Sequence, residues 1–463
     1  MTSTIQYAST RDRHSSFSFT DAVLRGLAPD GGLFVPDHLP RLPEGVCARI
    51  MTAKSPDQPG VFLLEDLIPQ FSANEIAEDL RDSLNFPIPL VPLSDNLWLL
   101  EVFHGPTLAF KDVGARSMAR ILSRIVRKMR REASILVATS GDTGSAVAHA
   151  FHGVPGIRVY VLYPGGLITP LQERQMTTLG DNIVALKVQG SFDDCQRMVK
   201  TLLEDKNLSE ESGNILSTAN SINIARLLPQ MIYHSFGIAQ LKNNFGKENP
   251  LMSIPSGNLG NLVSAVYAHA RGLPVKHFIA ATNENTAFPD FLESGHYEAH
   301  ASKPTPSSAM DVGNPSNLER LQAFYHDRMG EMRSAITAIP ISDKKTLETI
   351  RQVYQKHQYI ADPHTAVGIA AAEVFRQKHP EYKNHPVIVT ATAHPAKFPD
   401  VIRKALGENV KMETPERLQN ISTKASHSLS IPADVKALRK LLLEESRARR
   451  AVPLQNIDKT DLP

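Results

Sequence analysis

Residues 137–151, VATSGDTGSAVAHAF, run from a predicted strand through a small polar loop into a predicted helix. A second stretch, SIPSGNLGNLVSAVYAHA at 253–270, repeats this order. Glycine lets the backbone approach a ligand closely, and the free N–H groups at the start of a helix bind anions. Either loop alone could equally be a plain helix cap. Two such loops, together with an unusually placed lysine, indicate a phosphorylated cofactor or substrate.

The two loops lack the signatures of the common nucleotide sites. Neither contains the G-x-x-x-x-G-K pattern of ATP-binding loops, and neither contains the G-x-G-x-x-G pattern of dinucleotide-binding folds. ATP and dinucleotide cofactors are therefore not indicated.

From about residue 96 onward, short β-branched runs alternate with helical segments. This alternation is typical of an α/β fold with mostly parallel sheets. We predict an N-terminal domain at 1–95, a small α/β domain at 96–217 and a large α/β domain at 218–463, whose charged helical tail starts near residue 400. The predicted strands are NLWLLEVF (96–103), SILVATS (134–140), RVYVLYP (158–164), NIVALKV (182–188), LMSIP (251–255), VKHFIAAT (275–282) and PVIVTAT (386–392).

The N-terminal stretch SFSFTDAVLRGLAPDGGLFVP (16–36) predicts a helix closed by a glycine turn and followed by a short strand. The Pro- and Ser-rich stretch at 298–317 is long enough to form a functional lid or wall.

The unusual lysine is Lys111, in the stretch FHGPTLAFKD (103–112). It follows an apolar strand and a Gly-Pro turn, and helical spacing begins directly after it. A lysine held in a cleft near the positive end of a helix loses its proton more readily, which suits a nucleophilic amine. A solvated surface lysine is the alternative, but Phe110 and the apolar strand argue against it.

Composition excludes several functional classes. A chain of 463 residues predicts two or three domains. A net charge of +2 gives no electrostatic case for nucleic acid or membrane, and the basic run at 124–131 is interpreted as the solvated end of a helix. HYEAH (296–300) lacks the H-E-x-x-H order of zinc proteases, so no metal site is expected.

Cysteine usage and the termini bear on the compartment. Cys47 and Cys195 stand far apart, which fits a reducing cytosol, although a single disulfide stays open. The chain shows no secretory h-region and no run of about 18 apolar residues, so we expect a cytoplasmic protein with no membrane contact.

A third polar stretch, TANSINIARLLPQ at 218–230, surrounds the start of an apolar helix. Arg226 has the planar fork that suits phosphate, or it is a solvated helix residue. Asn220 and Ser221 are candidate ligands, or one of them is only a helix cap.

Taken in order along the chain, these stretches closely resemble the threonine synthase family, in its longer branch with a sizeable N-terminal domain. They are YASTRDRHSSFSFTDAVLRGLAPDGGLFVP (7–36), FHGPTLAFKD (103–112), TSGDTGSA (139–146), NSINIARLLPQ (220–230), PSGNLGN (255–261) and TATAHPAKF (390–398).

The resemblance implies an α/β enzyme of pyridoxal-phosphate fold type II, similar to the tryptophan synthase β chain. It would have two α/β domains with mostly parallel sheets and an N-terminal domain. The implied lyase activity converts O-phospho-L-homoserine and water into L-threonine and phosphate by γ-elimination and β-hydration, the last step of threonine biosynthesis. A related phospho-lyase that makes 2-ketobutyrate from O-phosphohomoserine or O-phosphothreonine is the alternative. We expect a small-molecule substrate, no nucleic acid, and a monomer or homodimer.

The resemblance also implies residue roles. Lys111 would hold pyridoxal 5'-phosphate covalently, Thr392 would face the pyridine nitrogen, and Asp142 would lie near the ring hydroxyl. The implied cofactor-binding residues are Lys111, Asp142, Ser256, Gly257, Asn258, Leu259, Gly260, Asn261 and Thr392, of which those at 256–261 form the phosphate cup. The implied substrate-binding residues are Ser140, Gly141, Thr143, Asn220, Ser221 and Arg226.

This sequence departs from the family pattern at several positions. Asp142 stands where the shorter branch has asparagine, and AHPAK (393–397) stands where that branch has GHGLK. The roles of His394 and Lys397 are left open.

Overall fold

The computed structural model describes residues 4–326 and 328–451. Its strands are β1 (Tyr7–Ser9), β2 (Phe34–Pro36), β3 (Leu90–Ser94), β4 (Leu97–Glu101), β5 (Ala133–Ala138), β6 (Ile157–Pro164), β7 (Ile183–Gln189), β8 (Ile215–Thr218), β9 (Leu251–Pro255), β10 (His277–Thr282), β11 (Ile336–Pro340), β12 (Val387–Ala391) and β13 (Leu429–Pro432).

The α-helices lie mostly between these strands. They are α1 (Phe19–Arg25), α2 (Glu44–Ile50), α3 (Asp57–Leu64), α4 (Ala73–Ser83), α5 (Lys111–Met129), α6 (Asp142–Phe151), α7 (Pro170–Thr177), α8 (Phe192–Glu204), α9 (Lys206–Ser212), α10 (Ile224–Leu227), α11 (Met231–Phe245), α12 (Gly260–Ala270), α13 (Ala287–Ser294), α14 (Leu318–Tyr325), α15 (Met329–Ala335), α16 (Asp343–His357), α17 (Pro363–Lys378), α18 (Pro399–Leu406), α19 (Glu416–Gln419) and α20 (Val435–Ala451).

Within the described residues the strands form three sheets. The two larger ones have the orders β11-β10-β9-β12-β4-β3 and β13-β7-β6-β5-β8, and the small one pairs β1 with β2. Every pair in the two larger sheets is parallel except β3 with β4. The predicted strands and the mostly parallel α/β fold are therefore confirmed.

Helices cover the parallel sheets, and this explains the composition of the strands. All residues of β5 and β9 are buried, and both strands are apolar almost throughout. Such near-continuous apolar runs are typical of parallel strands that are covered on both faces. Helix α17, for example, packs on β9, β10 and β12.

The assignment of strands to the two larger sheets does not follow the predicted domain boundaries at residues 95 and 217. Strands β3 and β4 pair into the six-stranded sheet beside β12, because the apolar run at 97–101 is in register with 387–391. Strand β13, which lies in the tail predicted to be helical, pairs with β7 in the five-stranded sheet. Helix α20 then packs on α8 and α9, so the tail belongs to the smaller sheet.

This topology brings several loops to one place. In parallel α/β sheets, ligands bind at the carboxyl ends of the strands. The loops that follow β4, β5, β8, β9 and β12 all contribute residues to one cavity. Within the described residues, no helix is long and apolar enough to cross a membrane.

Candidate active site

The cavity has a volume of about 210 Å³ and brings most of the predicted site residues together. Gly141 and Ser256 are the two predicted residues that do not line it. The predicted residues that line it are Lys111, Ser140, Asp142, Thr143, Asn220, Ser221, Arg226, Gly257, Asn258, Leu259, Gly260, Asn261 and Thr392.

Lys111 is the first residue of α5, as the sequence predicts. Its side chain is 15% exposed, and its Nζ lies 3.8 Å from Oδ2 of Asp142. Burial, opposed by the Asp142 carboxylate and assisted by the nearby cations Lys397 and Arg226, lowers the pKa of Lys111 to about 8. An amine with this pKa is partly uncharged near neutral pH, so it can act as a nucleophile.

Asp142 has a second lysine partner that sequence reasoning did not assign. The Nζ of Lys397 lies 2.7 Å from Oδ1 of Asp142 and donates to the Thr107 carbonyl at 3.0 Å. Burial opposes ionisation of Asp142, but Lys397 and Lys111 outweigh it and hold the pKa of that carboxyl well below its usual range. Lys397 belongs to AHPAK (393–397), where this sequence departs from the shorter branch of the family. That departure was the feature of the sequence that pointed to this residue.

The glycine-rich loop after β9 has the shape of an anion cradle. Leu259 has a left-handed backbone with φ of 61°, and no side chain caps the N-terminus of α12. A Cβ on Gly257 would come within 2.8 Å of the Met310 Cα, so only glycine allows this close approach. Backbone N–H groups at such a helix start suit the phosphate of pyridoxal phosphate.

Asn258 connects this cradle to its surroundings. Its side chain donates to Oγ of Ser221 at 2.6 Å and accepts from the backbone N–H of Ser316 at 2.6 Å. The Asn317 side chain donates to the Asn258 carbonyl at 2.9 Å. The loop after β8 and the segment around 316 therefore hold the cradle in place.

Arg226 is a buried cation with an unfilled donor. It is 2% exposed, its Nη1 donates to the Ala219 carbonyl at 2.7 Å, and its buried Nε has no hydrogen-bond partner among the described residues. Burial lowers its pKa to about 10. An unsatisfied buried donor costs about 1–3 kcal/mol, so a bound anion would stabilise this arrangement.

Asn220 has structural bonds that the sequence did not predict. Its Nδ2 donates to the Ala138 carbonyl at 2.8 Å, and its Oδ1 accepts from the Ala138 N–H at 3.2 Å. The amide thus fixes the loop after β8 against the end of β5. Its binding of a substrate phosphate stays a prediction.

Thr392 lies beside the start of α5. Its carbonyl accepts from the Phe110 N–H at 2.8 Å, and the residue lines the cavity. The residue before Lys111 and the end of β12 are therefore held together.

The Pro- and Ser-rich stretch at 298–317 forms part of the cavity wall, which the sequence offered as one of two expectations. Asp311 accepts from both the N–H and the hydroxyl of Thr305, and Asn283 donates to it at 2.9 Å. His364, in the first turn of α17, accepts from the Ala309 N–H at 3.1 Å and so contacts the same stretch. No motif in the sequence marked His364.

Two parallel sheets with one shared cavity, a buried lysine at a helix start and a glycine-rich helix N-terminus define a pyridoxal-phosphate-dependent enzyme of fold type II. The family model described as "Pyridoxal-phosphate dependent enzyme" matches residues 83–392. The models "Threonine synthase N terminus" and "Threonine synthase, C-terminal" match residues 6–57 and 365–442. The chain belongs to the threonine synthase family.

Relatives cover almost the whole chain. A threonine synthase of Escherichia coli (strain K12) is 39% identical over 438 residues, which is 94% of this chain and 98% of the relative. A crystal structure of the Escherichia coli enzyme has a TM-score of 0.86 at 36% identity, covering 95% of this chain and 100% of that one. A crystal structure described as PLP-bound threonine synthase from Brucella melitensis has a TM-score of 0.87 at 33% identity, covering 96% and 100%.

Proposed function

We propose that this chain converts O-phospho-L-homoserine and water into L-threonine and phosphate, with Lys111 as the residue that carries the cofactor. The observation that carries the proposal is a cavity with two separate positions for anions beside one buried amine. The start of α12 is one position and Arg226 is the other. The cofactor and the proposed substrate each bring one phosphate, so these two positions match the two phosphates.

The residues divide the work between binding and proton transfer. The backbone at 257–261 binds the cofactor phosphate, and Arg226 binds the substrate phosphate, assisted by Ser221. When bound, pyridoxal phosphate supplies the electron sink that accepts the charge left by removal of a substrate proton. Lys111 holds the cofactor and moves protons at the α-carbon of the substrate, a role that typically contributes about 10²–10⁴-fold to the rate.

Four further residues hold and aim these groups. Asp142 keeps a negative charge beside Lys111, and Thr392, which lines the cavity, offers the pyridine nitrogen a hydroxyl that bears no charge. Ser140 and Thr143 lie at the start of α6 and bind the carboxylate of the substrate. These assignments extend the family resemblance to residues that share one cavity.

Product identification tests the reaction. The purified protein is incubated with pyridoxal phosphate and O-phosphohomoserine, and the organic product is identified by chromatography and mass spectrometry. We expect threonine and phosphate in equal amounts, and no product from Lys111→Ala. Formation of 2-ketobutyrate in place of threonine would indicate the related phospho-lyase.

We further propose a cytoplasmic enzyme that is a monomer or a homodimer. Cys47 and Cys195 are both free thiols, which fits a reducing compartment. Sedimentation of the holoenzyme distinguishes the two assembly states.

A further inference from the structure

Two lysines compete for one carboxylate in the cavity. Asp142 lies 2.7 Å from the amine of Lys397 and 3.8 Å from the amine of Lys111. Only the first distance is that of a direct charge-assisted hydrogen bond. Lys397 is therefore the partner that holds the carboxylate.

Further contacts fix the carboxylate on that side. Lys397 is fully shielded from solvent and is anchored by the Thr107 carbonyl at 3.0 Å. The side-chain amide of Gln172 donates at 3.2 Å to the same Asp142 oxygen that Lys397 binds. Lys397 and Gln172 therefore both bind Oδ1 of Asp142, whereas Lys111 lies nearest to Oδ2.

The other charged groups near Lys111 have their own partners. Arg226 donates to the Ala219 carbonyl, and Asp112 accepts from the N–H and the hydroxyl of Thr107. His364 is bonded to Asp362 and to the Ala309 N–H. The pair formed by Asp142 and Lys397 is therefore the local arrangement that decides whether Lys111 gains an anionic partner.

We propose that Lys397 is a positioning residue for the cofactor lysine: it holds the Asp142 carboxylate away from Lys111 and so keeps the Lys111 amine out of a tight ion pair. An ion pair would stabilise the protonated form of the Lys111 amine, and a protonated amine has no lone pair with which to attack an aldehyde. The proposal rests on the proposed role of Lys111. It gives a function to a residue that the sequence left open.

The test measures Lys111 directly in the cofactor-free protein. Acetylation of Lys111 by acetic anhydride is followed across a pH series by peptide mass spectrometry, and the midpoint of the rate is compared between variants. In Lys397→Met, Asp142 turns to Lys111 and the repulsion from the Lys397 cation is lost; both changes raise the midpoint, by one unit or more in total, so labelling below the midpoint slows by about tenfold or more. A midpoint at or below that of the wild type would overturn the proposal.

Further variants separate positioning from folding. Asp142→Asn combined with Lys397→Met removes both charges, so the Lys111 midpoint falls back below that of Lys397→Met. If Lys397→Met does not fold, Lys397→Gln removes the same charge while keeping a donor for Thr107, and the same rise is expected. Lys187→Met is the matched control, since Lys187 pairs with Glu173 at 3.1 Å outside the cavity; it leaves the Lys111 midpoint unchanged.

This test and the test of the proposed function can fail separately. Attachment of the cofactor is mapped in the wild-type holoenzyme. A midpoint shift without attachment at Lys111 would refute the proposed role of Lys111. Attachment at Lys111 without a midpoint shift in the Lys397 variants would refute this inference alone.

Discussion

Asn258 donates a hydrogen bond of 2.6 Å to Oγ of Ser221. The two residues follow β9 and β8, which belong to different sheets, so this bond joins the proposed cofactor-phosphate cradle to the proposed substrate-phosphate loop. A substitution in either loop is therefore expected to alter ligand binding at the other.

The bond predicts coupling between Asn258→Ala and Ser221→Ala. A neutral hydrogen bond contributes about 0.5–1.5 kcal/mol, and residues in contact show a coupling energy of this order. We expect the loss in cofactor binding free energy of the double variant to be smaller than the sum of the two single losses by about that amount. Fluorescence titration with pyridoxal phosphate measures it.

Ser264→Ala supplies the control for this cycle. The Ser264 hydroxyl donates within α12, to the Asn261 carbonyl at 2.7 Å, and has no bond to Ser221. Its effect should add to that of Ser221→Ala. Additive effects of Asn258→Ala and Ser221→Ala would contradict the coupling.

Arg226→Ala should impair catalysis much more than cofactor binding. Removal of one partner of a desolvated charge pair costs about 2–4 kcal/mol, on the order of a hundredfold loss in kcat/KM for the phosphorylated substrate. The cofactor should still bind, because its cradle lies at 257–261. Steady-state kinetics and the absorbance of the bound cofactor measure the two effects.

Arg351→Ala is the matched control for Arg226. Arg351 also donates to a backbone carbonyl, that of Ala405 at 3.0 Å, and lies outside the cavity wall. Its kcat/KM should equal that of the wild type. Unchanged kinetics or loss of cofactor in Arg226→Ala would remove Arg226 from the substrate site.

Thr392 should act through its hydroxyl. Thr392→Val should keep the fold and the bound cofactor and slow turnover through loss of a hydrogen bond of about 0.5–1.5 kcal/mol. Thr392→Asp should shift the absorbance spectrum of the holoenzyme, because a carboxylate favours a protonated pyridine nitrogen.

Thr390→Val is the control for Thr392, since the buried Thr390 hydroxyl has no hydrogen-bond partner in the part of the chain that the structure describes and Thr390 does not line the cavity. It should turn over like the wild type. Wild-type turnover in Thr392→Val, with no spectral change in Thr392→Asp, would place Thr392 away from the ring nitrogen.

The lowered pKa of Lys111 predicts how cofactor attachment depends on pH. The attacking amine must be uncharged, and its pKa of about 8 lies well below the ordinary lysine value of 10.5. The attachment rate should therefore fall about tenfold for each pH unit below 8 and level off above it. Stopped-flow absorbance of the cofactor-free protein measures this. A rate that keeps rising towards 10.5 would show an ordinary lysine.

The sequence predicted strands β4, β5, β6, β7, β9, β10 and β12 because their patterns are local, but it did not predict β3, β8, β11 or β13. Apolar β-branched runs such as 158–164 are decided by their own residues. Strand β13 was missed because it has four residues, of which only Ile431 is buried, so its pattern does not differ from its charged surroundings. The place of β4 depends on its register with β12, which no local pattern contains.

The site residues also fall into two groups: those that local sequence identifies and those that only the fold brings together. Lys111 and the loop at 255–261 are recognisable from local chemistry, since each combines unusual residues with the start of a helix. The pairing of Lys397 with Asp142 joins distant parts of the chain, and only the fold brings them to 2.7 Å. The same is true of Asn220, whose amide is bonded to the backbone of Ala138.

The identity of the lysine that carries the cofactor is the central claim, and it can be tested against a second buried lysine, Lys397, which contacts the same carboxylate of Asp142. The holoenzyme is treated with borohydride, which fixes the cofactor to its lysine, and the labelled peptide is identified by mass spectrometry. We expect label on Lys111 and none on Lys397. Label on Lys397, or on any lysine other than Lys111, would contradict it.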